Sequence, residues 1–558
     1  MNNQKKKSGG EVLVDALIAH GTKMVYCVPG ESFLPVIDAL YQNREQIQTI
    51  VCRHESGAGN MAEAYGKLCN EPGIAFVTRG PGATNASIAV HTARQDSTPM
   101  ILFIGQVDTQ AFGREAWQEI DYRHMFGSIA KWVDQIDDVQ RLPEMIARAY
   151  SIATSGRPGP VVLALPEDML SREVDSPVLT KYKRSGAAPS NEDIQSLEAL
   201  VEKAKKPLLM LGGGAWAKDA GEKIAEFANN HSLPIISAFR RQDIVDNLHS
   251  NYCGEAGLGM NPKLSARIQA ADLILCVGAR LGETTTNGYT LIDIPYPKNT
   301  LVHVHADANE LGKVYQASLA INSTPTAFAS AVFHLKNKGG DHESRKAWLK
   351  EARDDYLETL KPVKARSGVN LSEVMIALQK LAPKETVISN GAGNYTLWVQ
   401  RFYQYRGFRT QLAPTSGTMG YGLPAAIAAK LLDQSRPAIC FAGDGCFLMT
   451  SQELATAVQY GANVIVIVVN NGTYGSIRMH QERHYPGNVW ATDLNNPDFV
   501  ELARSYGANA ERIENTSDFE AAFQRALNAN KPTVIELVTD KEILTPLLTV
   551  QDLRAAKS

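Results

Sequence analysis

Short apolar runs alternate with stretches of helical spacing along most of this chain, and the clearest example lies near its carboxyl end. The run Ala438–Ala442 leads to Asp444, and a second run, Val464–Val469, leads to Asn471. Short runs rich in apolar and β-branched residues are typical of buried strands. The segment between them is long enough for a helix, so the pattern predicts a strand–helix–strand unit with parallel strands.

The ends of the intervening helix can be predicted as well. Thr450 and Glu453 have the spacing of a capping box, in which a hydroxyl and a carboxylate satisfy free backbone amides of the first turn. Gly461 follows the helical stretch, and glycine commonly ends helices because it adopts the left-handed conformation without strain. We therefore expect a capping box at Thr450 and a helix end at Gly461.

The same alternation of strand-like and helical runs continues through the rest of the chain. It predicts an α/β protein built from doubly wound, mainly parallel sheets. Polar, lysine-containing sequence near residues 175–193 and a charged stretch near residues 336–355 suggest boundaries. We therefore expect three domains, at residues 1–185, 190–345 and 365–558, each of ordinary domain size.

Polar residues follow the two strands described first, at the place where ligands bind in parallel sheets. Asp444 and Asn471 offer oxygen donors at the carboxyl ends of these strands. Gly445 permits a close approach of the backbone and opens a helix, whose free amides attract anions. Oxygen donors beside a phosphate site suit Mg²⁺, which binds few protein ligands together with phosphate oxygens.

Composition excludes several classes of function. The chain has 558 residues and a net charge of −3, so no bulk electrostatic attraction to nucleic acid or to an anionic membrane is expected. We find no apolar run long enough to cross a bilayer and no signal peptide. The seven cysteines form no CxxC pair, and we expect buried thiols in a cytoplasmic protein.

The sequence Gly443-Asp444-Gly445 at one strand end, with Asn470-Asn471 at the next, resembles the thiamine diphosphate motif of the acetolactate synthase-like enzymes. The resemblance implies that Asp444, Asn471 and the backbone carbonyl of Thr473 bind Mg²⁺. It also implies thiamine diphosphate as cofactor. The three domains would then be a pyrimidine-binding domain, a central Rossmann-like domain and a diphosphate-binding domain.

The first segment carries motifs of the same family. Arg53-His54-Glu55 resembles its RHE motif, in which the glutamate hydrogen-bonds the aminopyrimidine ring and assists formation of the ylid. Such a carboxyl needs burial to hold a proton near neutral pH. Taken alone, Glu55 would by default be an acidic residue favoured at a helix N-terminus by the helix dipole. The resemblance implies that Glu55 is catalytic.

Loops elsewhere resemble the family's cofactor and substrate loops. The stretch GPGATN at residues 80–85 and the turn at Gly30 belong to the first segment. The resemblance makes Gln118 a catalytic amide of the substrate pocket and Lys131 a basic group near its entrance. A surface glutamine and a solvated lysine are the alternatives.

The last segment supplies the other loops. GTMG at residues 417–420 resembles the family's loop in which Met419 bends the cofactor, although methionine is more often a core gap filler. GAGNY at residues 391–395 resembles the diphosphate loop, with Asn394-Tyr395 in place of the usual Gln-His. The resemblance implies these cofactor contacts, beside Glu55 and Met419: Gly30, Gly80, Asn85, Gly391, Asn394, Tyr395, Gly417, Gly443, Asp444, Gly445, Cys446, Asn471, Tyr474, Gly475, Ser476 and Ile477.

The resemblance is less specific about the reaction. It implies a carboligase or lyase that attacks a small 2-oxo acid such as pyruvate and forms a carbanion–enamine. A 2-hydroxyacyl lyase or acyltransferase and a flavin-coupled oxidase are the alternatives. The adjacent His-His pair of simple decarboxylases is absent. His480 stands where acetolactate synthases carry an acceptor-selecting tryptophan, and with Arg478 it predicts a more basic pocket rim.

Two further expectations come from the resemblance. The glycines at residues 212–214 and the stretch GARLG at residues 278–282 resemble a domain that binds FAD or ADP, but GARLGE replaces the flavin-type GARFDD, so either nucleotide is optional. The family places its cofactor between two subunits. A homodimer is therefore the expected minimal unit, and a homotetramer is the alternative.

Overall fold

The computed structural model describes residues 6–337, 341–364 and 367–555. Its contacts divide the chain into two compact units. The first unit comprises the chain up to Ser185 together with Leu423–Asp433 and Thr450–Ala462. The second comprises Gly186–Gly422, Gln434–Met449 and the chain from Asn463 onward. The division into three domains at the expected boundaries stays a prediction.

The first unit contains one six-stranded parallel sheet. Its inner strands are apolar and buried on both faces, as in GIAFV and MILFIGQ, because helices cover both sides of a parallel sheet. The strands are β1 Lys6–Ser8, β2 Met24–Cys27, β3 Gln48–Val51, β4 Gly73–Val77, β5 Met100–Gln106, β6 Trp132–Gln135, β7 Pro160–Pro166 and β8 Glu173–Asp175. The helices are α1 Gly9–Ala19, α2 Leu34–Gln42, α3 Glu55–Cys69, α4 Gly80–Asp96, α5 Tyr122–Phe126, α6 Leu142–Thr154 and α7 Glu167–Ser171. The sheet order is β3-β2-β4-β5-β7-β6, while β1 and β8 form a separate antiparallel pair.

The second unit begins with another six-stranded parallel sheet. Its order is β11-β10-β9-β12-β13-β14, the order of a dinucleotide-binding fold, which reverses direction between β9 and β12. The strands are β9 Pro207–Leu211, β10 Ile235–Ala238, β11 Tyr252–Ala256, β12 Leu273–Val277, β13 Thr300–His305 and β14 Leu319–Asn322. The helices are α8 Asn191–Lys203, α9 Lys218–His231, α10 Pro262–Ala270, α11 Pro325–Val332 and α12 His342–Thr359.

The remaining elements form a third parallel sheet, in the order β16-β15-β17-β18-β20-β19, and its helices. The strands are β15 Val387–Asn390, β16 Gln411–Leu412, β17 Ala438–Gly443, β18 Ile465–Asn470, β19 Asn509–Ile513, β20 Thr533–Val538, β21 Ile543–Thr545 and β22 Leu548–Thr549. The helices are α13 Leu371–Leu381, α14 Thr396–Phe402, α15 Gly422–Leu432, α16 Asp444–Leu448, α17 Glu453–Gln459, α18 Gly475–His484, α19 Phe499–Ser505, α20 Phe519–Leu527 and α21 Val550–Ala555. Segments of α15 and α17 belong to the first unit, while the sheet belongs to the second.

The first and third sheets share one topology. When the six strands of each are numbered along the chain, both read 2-1-3-4-6-5. All pairings in the three six-stranded sheets are parallel. The predicted α/β class with three doubly wound parallel sheets is therefore confirmed, and the topology reveals a similarity that the sequence does not show.

The strand–helix–strand prediction is confirmed for β17 and β18, with two helices between them. Gly461 has a φ of 62° just after α17, as expected of a helix end. The predicted capping box is wrong. Helix α17 begins at Glu453, and its N-cap residue Gln452 makes no side-chain cap. The Glu453 carboxylate instead accepts backbone hydrogen bonds from Arg53 and His54.

Two whole-chain expectations can be compared with the structure. All seven cysteines are free thiols, and six are buried while Cys69 is partly exposed. Across residues 6–337, 341–364 and 367–555, we find no helix with the length and apolar content needed to cross a membrane.

Candidate active site

The first unit brings Glu55 to the turn between β3 and α3. Glu55 is the first residue of α3, and the preceding His54 is extended, with φ −151° and ψ 145°. The His54 Nδ1 accepts a hydrogen bond from the Ser56 amide at 3.1 Å, which caps the helix. The Glu55 side chain is half-buried. The cap therefore fixes the point at which the Glu55 side chain leaves the backbone.

Helix α4 supplies the neighbours of Glu55. The Asn85 Nδ2 donates to the Glu55 Oε2 at 2.9 Å. A methyl group built at Gly82 would lie 3.4 Å from Glu55 Oε1, an ordinary contact. The Gly80 amide donates to the Gln118 carbonyl at 3.0 Å. The structure thus brings together Glu55, Gly80, Asn85 and the backbone of Gln118, all of which the sequence singles out.

Other predicted residues of the first unit have structural surroundings. Gln118 adopts a φ of 63°, and its backbone rather than its side chain makes the contact with α4. Gly30 precedes a short helical turn, where a β-carbon would come within 2.5 Å of Thr78. The Lys131 ammonium donates to the carbonyls of Ile152 and Ser155 near the end of α6, and its place near a pocket entrance stays a prediction.

The second unit places Asp444 at the carboxyl end of β17, with only 3% of its surface exposed. Its Oδ2 accepts hydrogen bonds from the Gly472 amide at 2.9 Å and from the Asn496 Nδ2 at 2.8 Å. Its Oδ1 accepts from the Gly445 amide at 2.8 Å. Burial raises the pKa of Asp444, and these hydrogen bonds act in the opposite direction by favouring the ionised form.

Asn471 and Thr473 follow the neighbouring strand β18. The Asn471 Oδ1 accepts from the Thr473 amide at 3.2 Å, and the Thr473 hydroxyl donates to the Thr492 carbonyl at 2.9 Å. Strands β17 and β18 are hydrogen-bonded in parallel, so their carboxyl ends lie side by side. This pairing brings the Asp444, Asn471 and Thr473 oxygens to one edge of the sheet.

A cavity of about 250 Å³ lies against this edge, within the second unit. Its lining includes Met419 and the start of α18. Every residue of the last segment that the resemblance assigns to the cofactor lines it, except Gly391. The lining residues are Ala392, Gly393, Asn394, Tyr395, Gly417, Met419, Gly443, Asp444, Gly445, Cys446, Val469, Asn471, Thr473, Tyr474, Gly475, Ser476 and Ile477.

The loop after β15 meets the cavity in a way that differs in part from the expectation. The Asn394 Oδ1 accepts from the Ser476 hydroxyl at 2.8 Å, which ties the loop to α18. The Tyr395 hydroxyl accepts from the Gly391 amide at 3.2 Å and donates to the Cys446 Sγ at 3.4 Å. The resemblance implies that Asn394 and Tyr395 donate hydrogen bonds to phosphate oxygens; the Tyr395 hydroxyl donates to Cys446 instead, and the role of Asn394 stays a prediction.

Helix α18 corrects the expected pocket rim. Ile477 lines the cavity and is 55% exposed. Arg478 is buried and donates to the Glu542 carboxylate at 2.6 Å and to the Lys541 carbonyl at 3.1 Å, so its predicted place at the rim is wrong. His480 is exposed, stacks on His484 and does not line the cavity. The structure gives the catalytic prediction for His480 no support.

Three parts of the chain match known protein families. Residues 7–125 match the family described as the thiamine pyrophosphate enzyme, N-terminal TPP binding domain. Residues 194–332 match its central domain, and residues 391–537 match its C-terminal TPP binding domain.

Curated relatives match nearly all of the chain. The probable acetolactate synthase large subunit of Methanocaldococcus jannaschii is 31% identical over 97% of this chain and 93% of that protein. The acetolactate synthase isozyme 1 large subunit of Escherichia coli K12 is 31% identical, over 97% and 95%. The large subunit of Lactococcus lactis is 30% identical, over 98% and 95%. This chain belongs to the acetolactate synthase-like family of thiamine diphosphate enzymes.

The oxygen donors in the cavity of the second unit can be compared with the ligands that a thiamine diphosphate enzyme needs. Among the residues that the structure describes, no three His, Cys, Asp or Glu side chains are grouped as for a metal ion. The site that the cavity offers is one carboxylate, one side-chain amide and one backbone carbonyl. Such a set suits Mg²⁺, which takes its remaining ligands from water and phosphate, rather than zinc. The residues present therefore fit thiamine diphosphate with Mg²⁺.

One residue that the sequence did not single out supports this site. Asn496, after α18, donates through Nδ2 to the Asp444 carboxylate and also to the Asn470 Oδ1 at 3.0 Å. Asn470 in turn donates to Glu536 at 2.7 Å, and Glu536 accepts from Arg512. Asn496 lies far from the motif along the chain, so no local signal marks it.

The glycines singled out in the central sheet lie at the ends of two neighbouring strands. Gly213 and Gly278 follow the neighbouring strands β9 and β12 and have φ angles of 69° and 78°. A β-carbon on Gly213 would lie 2.0 Å from the Gly278 carbonyl oxygen, so the two loops are in direct backbone contact. These facts explain the glycines, and binding of FAD or ADP stays a prediction.

Proposed function

We propose that this protein is a thiamine diphosphate- and Mg²⁺-dependent carboligase or lyase that acts on a small 2-oxo acid such as pyruvate. The observation that carries the proposal is the cavity at the ends of β17 and β18. There Asp444, Asn471 and Thr473 share one lining with Met419 and the loop at residues 392–395. The names of the relatives, which are acetolactate synthase subunits, support the same class of substrate.

The metal ligands in this proposal are the Asp444 carboxylate, the Asn471 side chain and the Thr473 carbonyl. Asp444 suits the role because three hydrogen-bond donors fix its oxygens and the residue is buried. Asn394 and Ser476 are hydrogen-bonded to each other, both line the cavity, and they offer polar groups to a diphosphate. Met419 supplies an apolar wall against which a bent cofactor can rest.

When bound, thiamine diphosphate supplies a nucleophilic carbon that adds to the carbonyl of the 2-oxo acid and stores the electron pair released with CO₂. Glu55 has the complementary task of holding a proton against the pyrimidine ring. The Asn85 amide donates to Glu55 Oε2, and among the described residues Oε1 accepts no hydrogen bond. Asn85 therefore holds one carboxyl oxygen of Glu55, and the other is available to the pyrimidine ring.

The proposal includes a homodimer as minimal active unit. Glu55 and Asp444 belong to different compact units of the chain. The family resemblance implies that each active site combines Glu55 of one subunit with Asp444 of the other. A homotetramer is compatible with the same arrangement. The molar mass in solution, measured by light scattering with and without cofactor, tests this part of the proposal, and a monomer that turns over substrate would contradict it.

The reaction is tested by following pyruvate with added thiamine diphosphate and Mg²⁺. We expect CO₂ release with acetolactate as product. CO₂ with acetaldehyde would indicate decarboxylation alone. Dependence of turnover on coenzyme A would favour the 2-hydroxyacyl lyase or acyltransferase alternative. A yellow protein that consumes O₂ would favour the flavin-coupled oxidase. Absence of pyruvate consumption in protein that binds the cofactor would contradict pyruvate as substrate.

A further inference from the structure

Glu453 is a buried carboxylate that the proposed chemistry does not use. It lies at the start of α17, in the first unit, and none of its surface is exposed. Its Oε1 accepts hydrogen bonds from the Arg53 amide at 3.0 Å and from the His54 amide at 2.9 Å. Its Oε2 accepts from the Thr456 hydroxyl at 2.7 Å. Both backbone partners immediately precede Glu55.

We propose that Glu453 is a positioning residue for Glu55, holding the turn between β3 and α3 so that the Glu55 carboxyl meets the cofactor's pyrimidine ring. This inference rests on the proposed function. Glu453 accepts hydrogen bonds from the last two backbone amides before Glu55, and His54 is also the N-cap of α3. Moving Glu453 therefore moves the residue that sets the start of the helix.

The packing of α3 shows how closely the carboxylate is held. A β-carbon on Gly57 would lie 2.3 Å from Glu453 Oε1 and 2.6 Å from its carboxyl carbon. Only glycine leaves room for the carboxylate at the first turn of α3. Gly57 therefore packs directly against the Glu453 carboxylate, and this contact positions the first turn of α3 relative to Glu453.

Helix α17 supports β3 at two further points. The Tyr460 hydroxyl accepts from the Val51 amide at 2.9 Å, and the Arg53 guanidinium donates to the Gln459 side chain at 2.5 Å. Strand β3 is at the edge of its sheet, so its outward amides need partners from outside the sheet. The contacts of α17 thus run along the end of β3 and conclude at the turn before Glu55.

The charge of Glu453 is a secondary matter. Burial raises the pKa of Glu453, and the hydrogen bonds from Thr456, Arg53 and His54 act against that change. Both backbone amides donate to Oε1 at the shorter distances, and a glutamine also provides this acceptor as its carbonyl oxygen; only the longer contact of the Arg53 amide with Oε2, at 3.3 Å, would be lost. A glutamine of the same reach should therefore keep the turn, whereas a shorter side chain should not.

The test compares Glu453→Ala, Glu453→Asp and Glu453→Gln with Glu45→Gln as matched control. Glu45 precedes β3 and its side chain is 92% exposed. Three quantities are measured on protein loaded with thiamine diphosphate and Mg²⁺: cofactor affinity, exchange of the cofactor's C2 proton for deuterium, and the circular dichroism of its imino form. Turnover of pyruvate is measured separately. The first three readouts do not depend on the identity of the substrate.

We expect Glu453→Ala to slow C2 exchange and lower kcat about a hundredfold, the usual consequence of a misplaced catalytic group. Cofactor affinity and KM should stay near wild type, because the metal and diphosphate residues are untouched. Glu453→Gln should restore most of the exchange rate, and Glu453→Asp should not. If the alanine variant fails to fold, the comparison of Gln with Asp decides.

Several results would overturn the inference. Wild-type C2 exchange in Glu453→Ala is one, and equal losses in the Gln and Asp variants are another. Equal loss of cofactor affinity and exchange would show a merely structural role. Glu55→Gln separates this inference from the proposed function. If that variant exchanges the C2 proton normally, the proposed role of Glu55 fails, whereas slow exchange in Glu55→Gln with normal exchange in Glu453→Ala contradicts only the inference about Glu453.

Discussion

Asp444 and Asn471 face one cavity because they follow paired parallel strands, and their oxygens are oriented by neighbouring amides. The proposed metal site depends on such oriented oxygens. Asp444 accepts hydrogen bonds from Gly445, Gly472 and Asn496, so its geometry is set before any ligand arrives. Preorganised ligands lose less entropy when they bind a metal ion.

The Asn496 contact leads to a prediction about metal affinity. Asn496→Ala removes the donor that joins Asp444 to Asn470, so we expect the affinity for Mg²⁺ to fall about tenfold to hundredfold. The Mg²⁺ dependence of thiamine diphosphate binding measures this effect. Asn488→Ala, in the exposed stretch before Asn496, is the matched control and should bind as the wild type does. Unchanged Mg²⁺ dependence in Asn496→Ala would contradict the prediction.

Glu55 carries the prediction for catalysis. Glu55→Gln keeps the size of the side chain and its contact with Asn85 at the carbonyl oxygen, but removes a group that can exchange a proton. We expect the fold and Mg²⁺-dependent cofactor binding to persist, and turnover to fall by about 10²-fold or more. Steady-state kinetics beside a binding titration checks both expectations. Turnover like that of the wild type would rule out the role assigned to Glu55.

Glu255 predicts how stability depends on pH. The residue as a whole is partly exposed, but its carboxyl is desolvated, and this burial raises its pKa to about 8. Between the usual value of 4.5 and about 8, the folded protein keeps a proton that the unfolded chain releases. The contribution of this group to stability is complete below the lower value and is lost as pH rises, by at most about 1.4 kcal/mol per pH unit.

Glu255→Gln should remove this dependence. Urea unfolding at pH 5, 6.5 and 8 would then show a flatter profile for the variant than for the wild type, with the largest gain in unfolding free energy at the highest pH. Glu351→Gln, whose side chain is 69% exposed, should follow the wild type. Parallel profiles for Glu255→Gln and the wild type would show that this carboxyl does not titrate as described.

At the scale of elements, the strands were easier to predict than the contacts at their ends. Apolar runs such as Ala438–Ala442 are buried in any arrangement of parallel strands, so their pattern alone predicts β17 and β18. The predicted capping box at Thr450 is wrong because the Glu453 carboxylate has other hydrogen-bond partners. It accepts from two backbone amides of residues some 400 positions away in the chain. Long-range backbone donors leave no trace in the local sequence.

The central sheet gives an element-scale prediction. Gly213→Ala places a β-carbon against the Gly278 carbonyl and requires a left-handed alanine, so both steric and conformational costs are incurred. We expect the midpoint of thermal unfolding to fall by several degrees, since even about 1 kcal/mol shifts it by about 2–4 °C in domains of 150–250 residues. Gly282→Ala, where a β-carbon meets open space, is the control. Equal midpoints for the two variants would contradict the contact between these loops.

The whole molecule shows what the sequence could and could not predict about the site. The motif residues were predicted individually, because glycines and oxygen donors at strand ends have local signatures. Arg478 was misplaced, since its partner Glu542 lies in the chain beyond the last long strand. The sequence does not show the shared strand order of the first and third sheets either. Buried strands have the same apolar pattern whatever their order in the sheet, so the pattern does not reveal which strands are neighbours.

The proposed function requires that Asp444 and its neighbours hold thiamine diphosphate through Mg²⁺. The most direct measurement is a calorimetric titration of thiamine diphosphate into the protein with and without Mg²⁺, for the wild type and for Asp444→Ala. We expect one cofactor to bind per chain, only when the metal is present, and we expect this binding to be lost in Asp444→Ala. Binding that is independent of Mg²⁺ and unchanged in the variant, or no binding to the folded wild type, would contradict it.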